Sequence, residues 1–339
     1  MLTPPLFYSL FISQAFAGDA IGLDLIKFGQ VETSNPALIL KINQTVGNMD
    51  VQLNCAGKSF SKKSVSLSAG RKIKIELDIP KGKARCNGKL SAKFGDGTSG
   101  SMPLQFGIEM LPQLKIDIDR NKVDLKNKTL EVKIDRPAAE YEVEILDEDE
   151  MNVGSGSFTV PQAQNLRRQT VSWTQLTDEI AIIRVRAKDV NGFWSQTDLL
   201  PWHYDIPHED VIFESNQSEI LPAEEPKLIA VKKEIDAVFE RYAKIAKANL
   251  YVAGYTDTVG AASSNQALST RRAKEIANWF KEKGFGGKIY YQGFGESALA
   301  VPTADGVDEA RNRRSLYIVA AEKPPRSADL PRSNWTLLP

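Results

Sequence analysis

The chain has 339 residues, with 43 basic and 43 acidic side chains and a formal net charge of zero. This length predicts two or three domains, and the balanced charge disfavours a general nucleic-acid-binding protein, which normally carries a basic excess. Apolar residues make up 42% of the chain and charged residues 25%, as in folded globular proteins. We expect no transmembrane helix, because no apolar run reaches the roughly eighteen residues that one requires.

The N-terminus has the outline of a secretory signal. Leu6–Ile12 is a short apolar core, and Ala15-Phe16-Ala17 is a small-x-small cleavage pattern. The usual Lys or Arg near the start is missing, so an ordinary buried segment or a misplaced start codon is the alternative. The pattern predicts a signal peptide at 1–17 and export of the mature chain.

Cys55 and Cys86 are the two cysteines of the chain, and both lie in strand-like sequence. In an exported protein an even pair predicts a disulfide, with two buried thiols as the alternative. Their spacing does not suit a metal site.

Short strands with alternating apolar and polar residues predict two β-sandwiches, of the immunoglobulin or fibronectin kind, at 18–112 and 113–205. Leu38–Ile42 and Val51–Cys55 are examples from the first region, and Leu130–Ile134 and Tyr141–Ile145 from the second. Turn clusters rich in Gly, Asn and Pro separate the strands.

The periodicity changes after a proline-containing linker, in which His203 and His208 are expected to be structural or solvated. Val211–Phe213 is predicted as a strand and is followed by a helix of about twenty residues with an apolar face. Strand, helix and two further strands follow, so 206–322 predicts an α/β domain of βαβαββ type. The Pro-, Ser- and Arg-rich segment 323–339 is expected to be a disordered tail.

The second helix, expected over about 265–283, carries two adjacent arginines with different surroundings. At about 100° per residue, Arg272 falls on the apolar side between Leu268 and Ile276, whereas Arg271 falls on the opposite side. A guanidinium buried without a partner is costly, so Arg272 needs an acidic partner or an anionic ligand. Asp257, which follows the preceding strand, is the nearest candidate, and a structural ion pair and a ligand-binding pair are equally compatible with the geometry.

Five short motifs follow one another in this region: Phe213-x-x-Asn216, Gly254-Tyr-Thr-Asp257-x-x-Gly260, Asn265-x-x-Leu268-Ser269-x-x-Arg272-Ala273, Gly293-Phe-Gly295-Glu296 and Asn312-Arg313-Arg314. In this order and spacing they resemble the OmpA-like peptidoglycan-binding domain, which also occurs in peptidoglycan-associated lipoproteins and flagellar stator proteins. The resemblance covers about 210–321, a third of the chain.

The resemblance implies non-covalent binding of diaminopimelate in the peptide stems of peptidoglycan. Asp257 then matches the residue that takes the ligand ammonium, and Arg272 the residue that takes the carboxylate. Asn216, Asn265 and Arg313 match positions that line the pocket or bind the rest of the peptide. These implied roles agree with the charges that an amino-acid head group requires.

The sequence therefore predicts a periplasmic or outer-membrane-associated protein that is anchored to the cell wall, with no catalysis and no cofactor. One alternative is an adhesion or scaffold protein whose β-sandwiches bind an envelope partner. The other is a wall-modifying enzyme with a cryptic site, which the scarcity of histidines and of paired carboxylates disfavours.

Overall fold

The computed structural model describes residues 20–161, 164, 166–177, 180–214, 216–332 and 334–339. The predicted signal peptide at 1–17 lies outside these residues. The described chain divides into two compact units: residues up to 115 with 134–137 and 188–195 form one, and the remainder forms the other. The domain boundaries expected after 112 and after 205 stay predictions.

The first region is a sandwich of two β-sheets. Its strands are β1 (Ile21–Ile26), β2 (Phe28–Gln30), β3 (Ala37–Ile42), β4 (Val46–Cys55), β5 (Lys58–Leu67), β6 (Lys72–Glu76), β7 (Gly82–Phe94) and β8 (Ser99–Leu111). One sheet has the order β1-β3-β6 and the other the order β2-β8-β7-β4-β5. Both sheets contribute to one apolar core, which includes Leu38 and Leu40 from β3 and Val51 from β4.

Cys55 and Cys86 form a disulfide, which confirms the predicted pair. They are register partners on β4 and β7, two neighbouring strands of one sheet. This arrangement differs from the disulfide of antibody domains, which joins the two sheets of the sandwich.

The second region is also mostly β. Its strands are β9 (Ile116–Ile118), β10 (Thr129–Ile134), β11 (Ala138–Leu146), β12 (Asn152–Thr159), β13 (Arg168–Ser172), β14 (Thr174–Gln175), β15 (Ile182–Asp189) and β16 (Trp194–Leu199). They form sheets of order β13-β10-β9 and β14-β12-β11-β15-β16. Alternate residues of β10 and β11 are buried, as expected of sandwich strands.

The C-terminal region is an α/β layer, which confirms the predicted class. It contains β17 (His203–Asp205), α1 (Glu225–Tyr242), β18 (Asn249–Tyr255), α2 (Ala262–Glu282), β19 (Lys288–Gly295), β20 (Ser315–Ala320) and β21 (Thr336–Leu337). The sheet order is β17-β20-β18-β19-β21, with β18 and β19 parallel and the other neighbours antiparallel. Among the described residues, neither helix has the length and apolar character needed to cross a bilayer.

The two helices bury the faces that their sequences predict. Leu228, Val231 and Ile235 of α1 are buried against the sheet, and Pro226 lies in the first turn, where its missing N–H leaves no bond unmade. On α2, Ile276 and Phe280 are fully buried, and Gly284 follows the helix with a φ of 81°.

Two predictions about this region are wrong. Residues 211–213 form no strand; the edge strand that pairs with β20 is His203–Asp205. The segment 323–339, expected to be disordered, is packed: β21 pairs with β19, and Leu330 and Trp335 pack on the sheet face opposite the helices. The composition of this segment is mostly polar, so its few apolar residues do not by themselves predict order. Leu330 and Trp335 are ordered because they pack on the sheet, a contact that local composition does not reveal.

Candidate functional site

Asp257 is a buried carboxylate just beyond the end of β18. It is 7% exposed, and the backbone N–H of the preceding Thr256 donates to the carbonyl of Gly295 at the end of β19. One carboxylate oxygen of Asp257 accepts from the backbone N–H of Val259 at 3.2 Å, and the other lies 2.6 Å from Nη1 of Arg313. The carboxylate is thus held in place by a loop amide and a guanidinium.

The sheet register brings Arg313 to Asp257. Gly254 of β18 pairs with Ser315, the first residue of β20, and the N–H of Tyr255 donates to the carbonyl of Arg314. The residue two positions beyond β18 therefore lies beside the residue two positions before β20. Arg313 also pairs with Asp308, and these two acidic partners raise the pKa of its guanidinium.

Arg272 lies on the buried side of α2, as the helical pattern predicts, whereas Arg271 is exposed. Its Nε donates to the carbonyl of Gln217 at 2.9 Å and its Nη2 to that of Glu214 at 3.3 Å. Its guanidinium carbon lies 4.9 Å from the centre of the Phe213 ring. The guanidinium is therefore fixed against the loop that precedes α1.

In the described residues, Arg272 and Asp257 do not form the structural ion pair that is one of the two alternatives left open by the sequence. Asp257 pairs with Arg313, and Nη1 of Arg272 makes no hydrogen bond to a described residue. Burial lowers the pKa of Arg272, nearby Arg313 lowers it further, and Asp257 acts in the opposite direction. Arg272 can bind an anion and Asp257 can bind a cation. Both groups are buried and they influence each other electrostatically, but they do not form an ion pair.

Asn265 is a buried loop-holding residue in the first turn of α2. Its side-chain nitrogen lies 3.2 Å from the carbonyls of both Asp257 and Val259, and 2.7 Å from a carboxylate oxygen of Glu296. The amide thereby ties the loop after β18 to the loop after β19. Glu296 belongs to the Gly293-Phe-Gly295-Glu296 motif, but the motif alone does not predict its contact with Asn265.

Asn216 lies in the loop held by Arg272, between the acceptor residues Glu214 and Gln217. It is exposed, and its φ of 57° is in the left-handed region, which Asn tolerates better than most residues. Asn216 therefore lies in a loop that Arg272 contacts on either side of it, while Asp257 is joined to Asn265 and to Arg313 by direct hydrogen bonds.

Two glycines allow α2 to lie close to the sheet. A Cβ atom at Gly254 would lie 2.5 Å from the carbonyl oxygen of Ser269, and one at Gly293 would lie 2.3 Å from the backbone nitrogen of Thr270. Both contacts are shorter than real Cβ atoms make, so any side chain would push α2 and Arg272 away from the loop of Asp257. Both glycines belong to the sequence motifs described above.

His208, for which the sequence predicts a structural or solvated role, has a ring that is bonded on both sides. One ring nitrogen lies 2.6 Å from the carbonyl of Ile206, and the other lies 2.9 Å from that of Ser315 and 3.6 Å from Asp210. Burial lowers the pKa of His208, but the nearby Asp210 carboxylate and the hydrogen bonds to the two carbonyls offset this, so the net pKa is raised. Within the described residues, no group of His, Cys, Asp and Glu is arranged to hold a metal ion.

Part of the chain is similar to known proteins. The OmpA family model matches residues 212–313. Outer membrane protein P5 of Haemophilus influenzae is 32% identical over 124 residues, which are 36% of this chain and 32% of that protein. The chain therefore spans about a third of the length of this curated relative.

Two solved structures are similar to parts of the chain. The OmpA-like domain of FopA1 from Francisella tularensis subsp. tularensis SCHU S4 is 19% identical and covers 42% of this chain and 75% of its own, with a TM-score of 0.27. The chicken CNTN1 FN1–FN3 domains are 13% identical and cover 52% and 64%, with a TM-score of 0.28. On the family match, the chain contains an OmpA-family domain at residues 212–313.

Proposed function

We propose that the OmpA-family domain binds peptidoglycan non-covalently, through the diaminopimelate of the stem peptide, and thereby anchors an exported protein to the cell wall. The observation that carries this proposal is the separation of two buried opposite charges, Asp257 and Arg272, in one field without an ion pair between them. A purely structural Asp257–Arg272 pair would be in contact. Asp257 instead pairs with Arg313, and Arg272 is buried against two carbonyls with no carboxylate partner among the described residues, which is costly unless an anionic ligand completes its bonding.

The chemistry of the ligand matches the two groups. Diaminopimelate presents an ammonium and a carboxylate on one carbon; we assign the ammonium to Asp257 and the carboxylate to the unbonded Nη1 of Arg272. Charge-assisted hydrogen bonds of this kind contribute about 1.5–3 kcal/mol each. Two carbonyls already fix the guanidinium of Arg272, so little side-chain entropy remains to be lost on binding.

Arg313 has a separate role in this proposal. It neutralises Asp257 in the free protein. An ionised carboxylate can accept several hydrogen bonds, so Asp257 can accept from Arg313 and from a ligand ammonium at the same time. Asn265 acts through the loop that it holds, because its side-chain nitrogen is already directed at three oxygens. Asn216, exposed beside the Arg272 loop, is assigned to the outer part of the peptide.

Sedimentation with purified sacculi tests the proposal. Asp257→Asn keeps the shape of the side chain and removes its charge, and Arg272→Met keeps its apolar stem. We expect each change to weaken binding more than about tenfold, since about 1.4 kcal/mol corresponds to a decade. Arg271→Met is the matched control, because Arg271 is the exposed neighbour on the same helix.

Two results would contradict the proposal. If both site variants, shown to be folded by circular dichroism, sediment like the wild type, the residue assignment is wrong. If the wild-type protein releases soluble muropeptides from the sacculi, the protein is an enzyme and not only an anchor. Free diaminopimelate should compete with sacculi for the wild type, and a ligand that lacks the ammonium should not.

We also infer an envelope location, associated with the outer membrane. The support is the family match and the relative, which is named an outer membrane protein. Fractionation of cells that express the full chain tests this inference; recovery in the cytoplasmic fraction would contradict it.

A further inference from the structure

The first β-sandwich carries an excess of positive charge that the proposed wall-binding function does not use. Residues 20–112 contain thirteen Lys and Arg and seven Asp and Glu, an excess of six positive charges in a chain whose net charge is zero. The distribution of these charges over the two sheets is uneven.

Strand β7 presents a row of basic side chains on the outer surface of its sheet. Lys83, Arg85, Lys89 and Lys93 are exposed and are separated by even numbers of residues, while Cys86 and Leu90 point into the core. Because successive side chains of a strand point to opposite faces, all four basic residues share one face. At about 3.4 Å per residue, the row from Lys83 to Lys93 is about 34 Å long.

The lysines of this row lack internal partners. In the described part of the chain, Lys83, Lys89 and Lys93 make no ion pair or hydrogen bond through their side chains, although Asp50 and Glu109 lie on the same face. On the three-stranded sheet, by contrast, lysines are paired with acidic residues: Lys41 with Asp24, and Lys74 with Glu76.

Hydroxyl and amide side chains surround the basic row. Residues directly beside β7 on the neighbouring strands include Gln52 and Asn54 of β4 and Ser101 and Gln105 of β8. An open trough of about 700 Å³ lies at one end of the row, lined by Lys63, Ser91 and Lys93 among others. We call this surface, with Lys63, Lys83, Arg85, Lys89 and Lys93 as its cations, the basic face.

We propose that the basic face binds a linear anionic polysaccharide, with the cations contacting its carboxylate or phosphate groups and the hydroxyl and amide groups contacting its sugars. An extended row of positive charge complements a linear polyanion, and Ser, Asn and Gln supply both donors and acceptors for sugar hydroxyls. The site lies outside the OmpA-family domain and is independent of the wall-binding proposal.

Other polyanions fit the basic face less well. Single-stranded nucleic acids are bound by aromatic side chains on which the bases stack, and the exposed positions of β7 and β4 are charged, amide, hydroxyl or small. Binding to an anionic membrane surface requires an apolar area that enters the lipid. Among the residues that line the trough, Val65 is the one large apolar side chain that is strongly exposed.

The test measures binding of the full-length protein to polygalacturonate, a linear glycan with a carboxylate on each sugar. We expect the triple variant Lys83→Ala/Lys89→Ala/Lys93→Ala to bind at least about tenfold more weakly, since three exposed charge contacts each contribute roughly twofold to fivefold. The control Lys41→Ala/Lys72→Ala/Lys74→Ala removes the same charge from the three-stranded sheet and should bind nearly as the wild type.

Several outcomes would overturn the proposal. Equal weakening by the two triple variants would show an effect of net charge alone. Absence of binding by the wild type would exclude the site, and tighter binding of the wild type to duplex DNA or to anionic vesicles would assign the face to another macromolecule. Asp257→Asn should leave binding to polygalacturonate unchanged, so failure of this proposal and failure of the wall-binding proposal are distinguishable.

Discussion

Asp257 and Arg313 are 56 positions apart in the chain, yet their side chains meet at 2.6 Å at the open end of the C-terminal sheet. The antiparallel pairing of β18 with β20 produces this contact, because the strands place the end of one beside the start of the other. Arg272, which the sequence places opposite Asp257, instead bonds to two carbonyls of another loop. This relationship leads to the first prediction.

Arg313→Ala should lower the free energy of unfolding by about 1 kcal/mol, a value at the upper end for a pair in which one partner is exposed to solvent. The Asp257 side chain is 10% exposed and that of Arg313 is 40% exposed, so solvent screens the pair from one side. Urea unfolding of the full chain measures the change.

The control for this variant is Asp308→Ala, which removes the exposed second partner of Arg313 and leaves Asp257 in place. It should cost less than about 0.5 kcal/mol. If Asp308→Ala is as destabilising as Arg313→Ala, Asp308 holds the guanidinium and the contact with Asp257 is secondary.

His208 predicts a pH dependence of stability. Two backbone carbonyls face its ring nitrogens, and its net pKa is raised in the folded protein. The contribution of protonated His208 to the free energy of unfolding is therefore complete below the pKa of an unfolded histidine, about 6.5. It is lost as the pH rises through the pKa of His208 in the folded protein. The difference in unfolding free energy between wild type and His208→Gln should narrow from pH 5.5 to pH 8.5.

The groups that face His208 are Asp210, the carbonyls of Ile206 and Ser315, and the ring of Tyr317. His203→Gln is the matched control, because His203 is exposed at the edge of the same sheet. If the difference in unfolding free energy between wild type and His208→Gln widens as the pH rises, the protonated form of His208 is not the one that stabilises the fold.

The C-terminal segment should stabilise the sheet that it covers. Leu330 is 6% exposed and packs on the sheet, whereas Leu337 is 47% exposed. Leu330→Ala should therefore cost about 2–4 kcal/mol, while Leu337→Ala, the same substitution at an exposed position, should cost less than about 1 kcal/mol. Thermal unfolding compares the two variants, and similar costs would show that the segment does not cover the sheet.

The disulfide of the first sandwich should contribute about 2–4 kcal/mol, because it closes a loop between residues 31 positions apart. The variant Cys55→Ala/Cys86→Ala and the wild type in reductant should lose similar amounts of stability. If reductant destabilises both proteins equally, its effect is not on this bond.

Local pattern was enough to predict the two helices and the distinction between Arg271 and Arg272, whereas the disulfide was predicted from the pair of cysteines in a chain expected to be exported. Residues three or four positions apart lie on the same face of a helix. The burial of Arg272 therefore follows from the apolar residues Leu268 and Ile276, four positions before and after it. The alternation of strand-like and helix-like periods was likewise sufficient to predict the α/β class.

Contacts distant in the chain were not predictable. The edge strand β17 makes three residue pairs with β20, too few to leave a recognisable period in the sequence. The pairing of Arg313 with Asp257 depends on strand register, and the packing of Leu330 depends on a surface built from β18, β19 and β20. Each of these features requires the tertiary fold.

The antiparallel pairing of β17 with β20, and of β20 with β18, makes β17 parallel to β18. The chain therefore enters β17 at the end of the sheet opposite Asp257. In a wall-bound protein that is pulled from its N-terminal side, the load runs along the strands. Because inter-strand hydrogen bonds are perpendicular to the strands, this load shears all the β17–β20 bonds together instead of opening them one by one. Shearing several hydrogen bonds at once requires more force than opening them in turn, so this topology would resist a pull on the N-terminal side of a wall-bound protein.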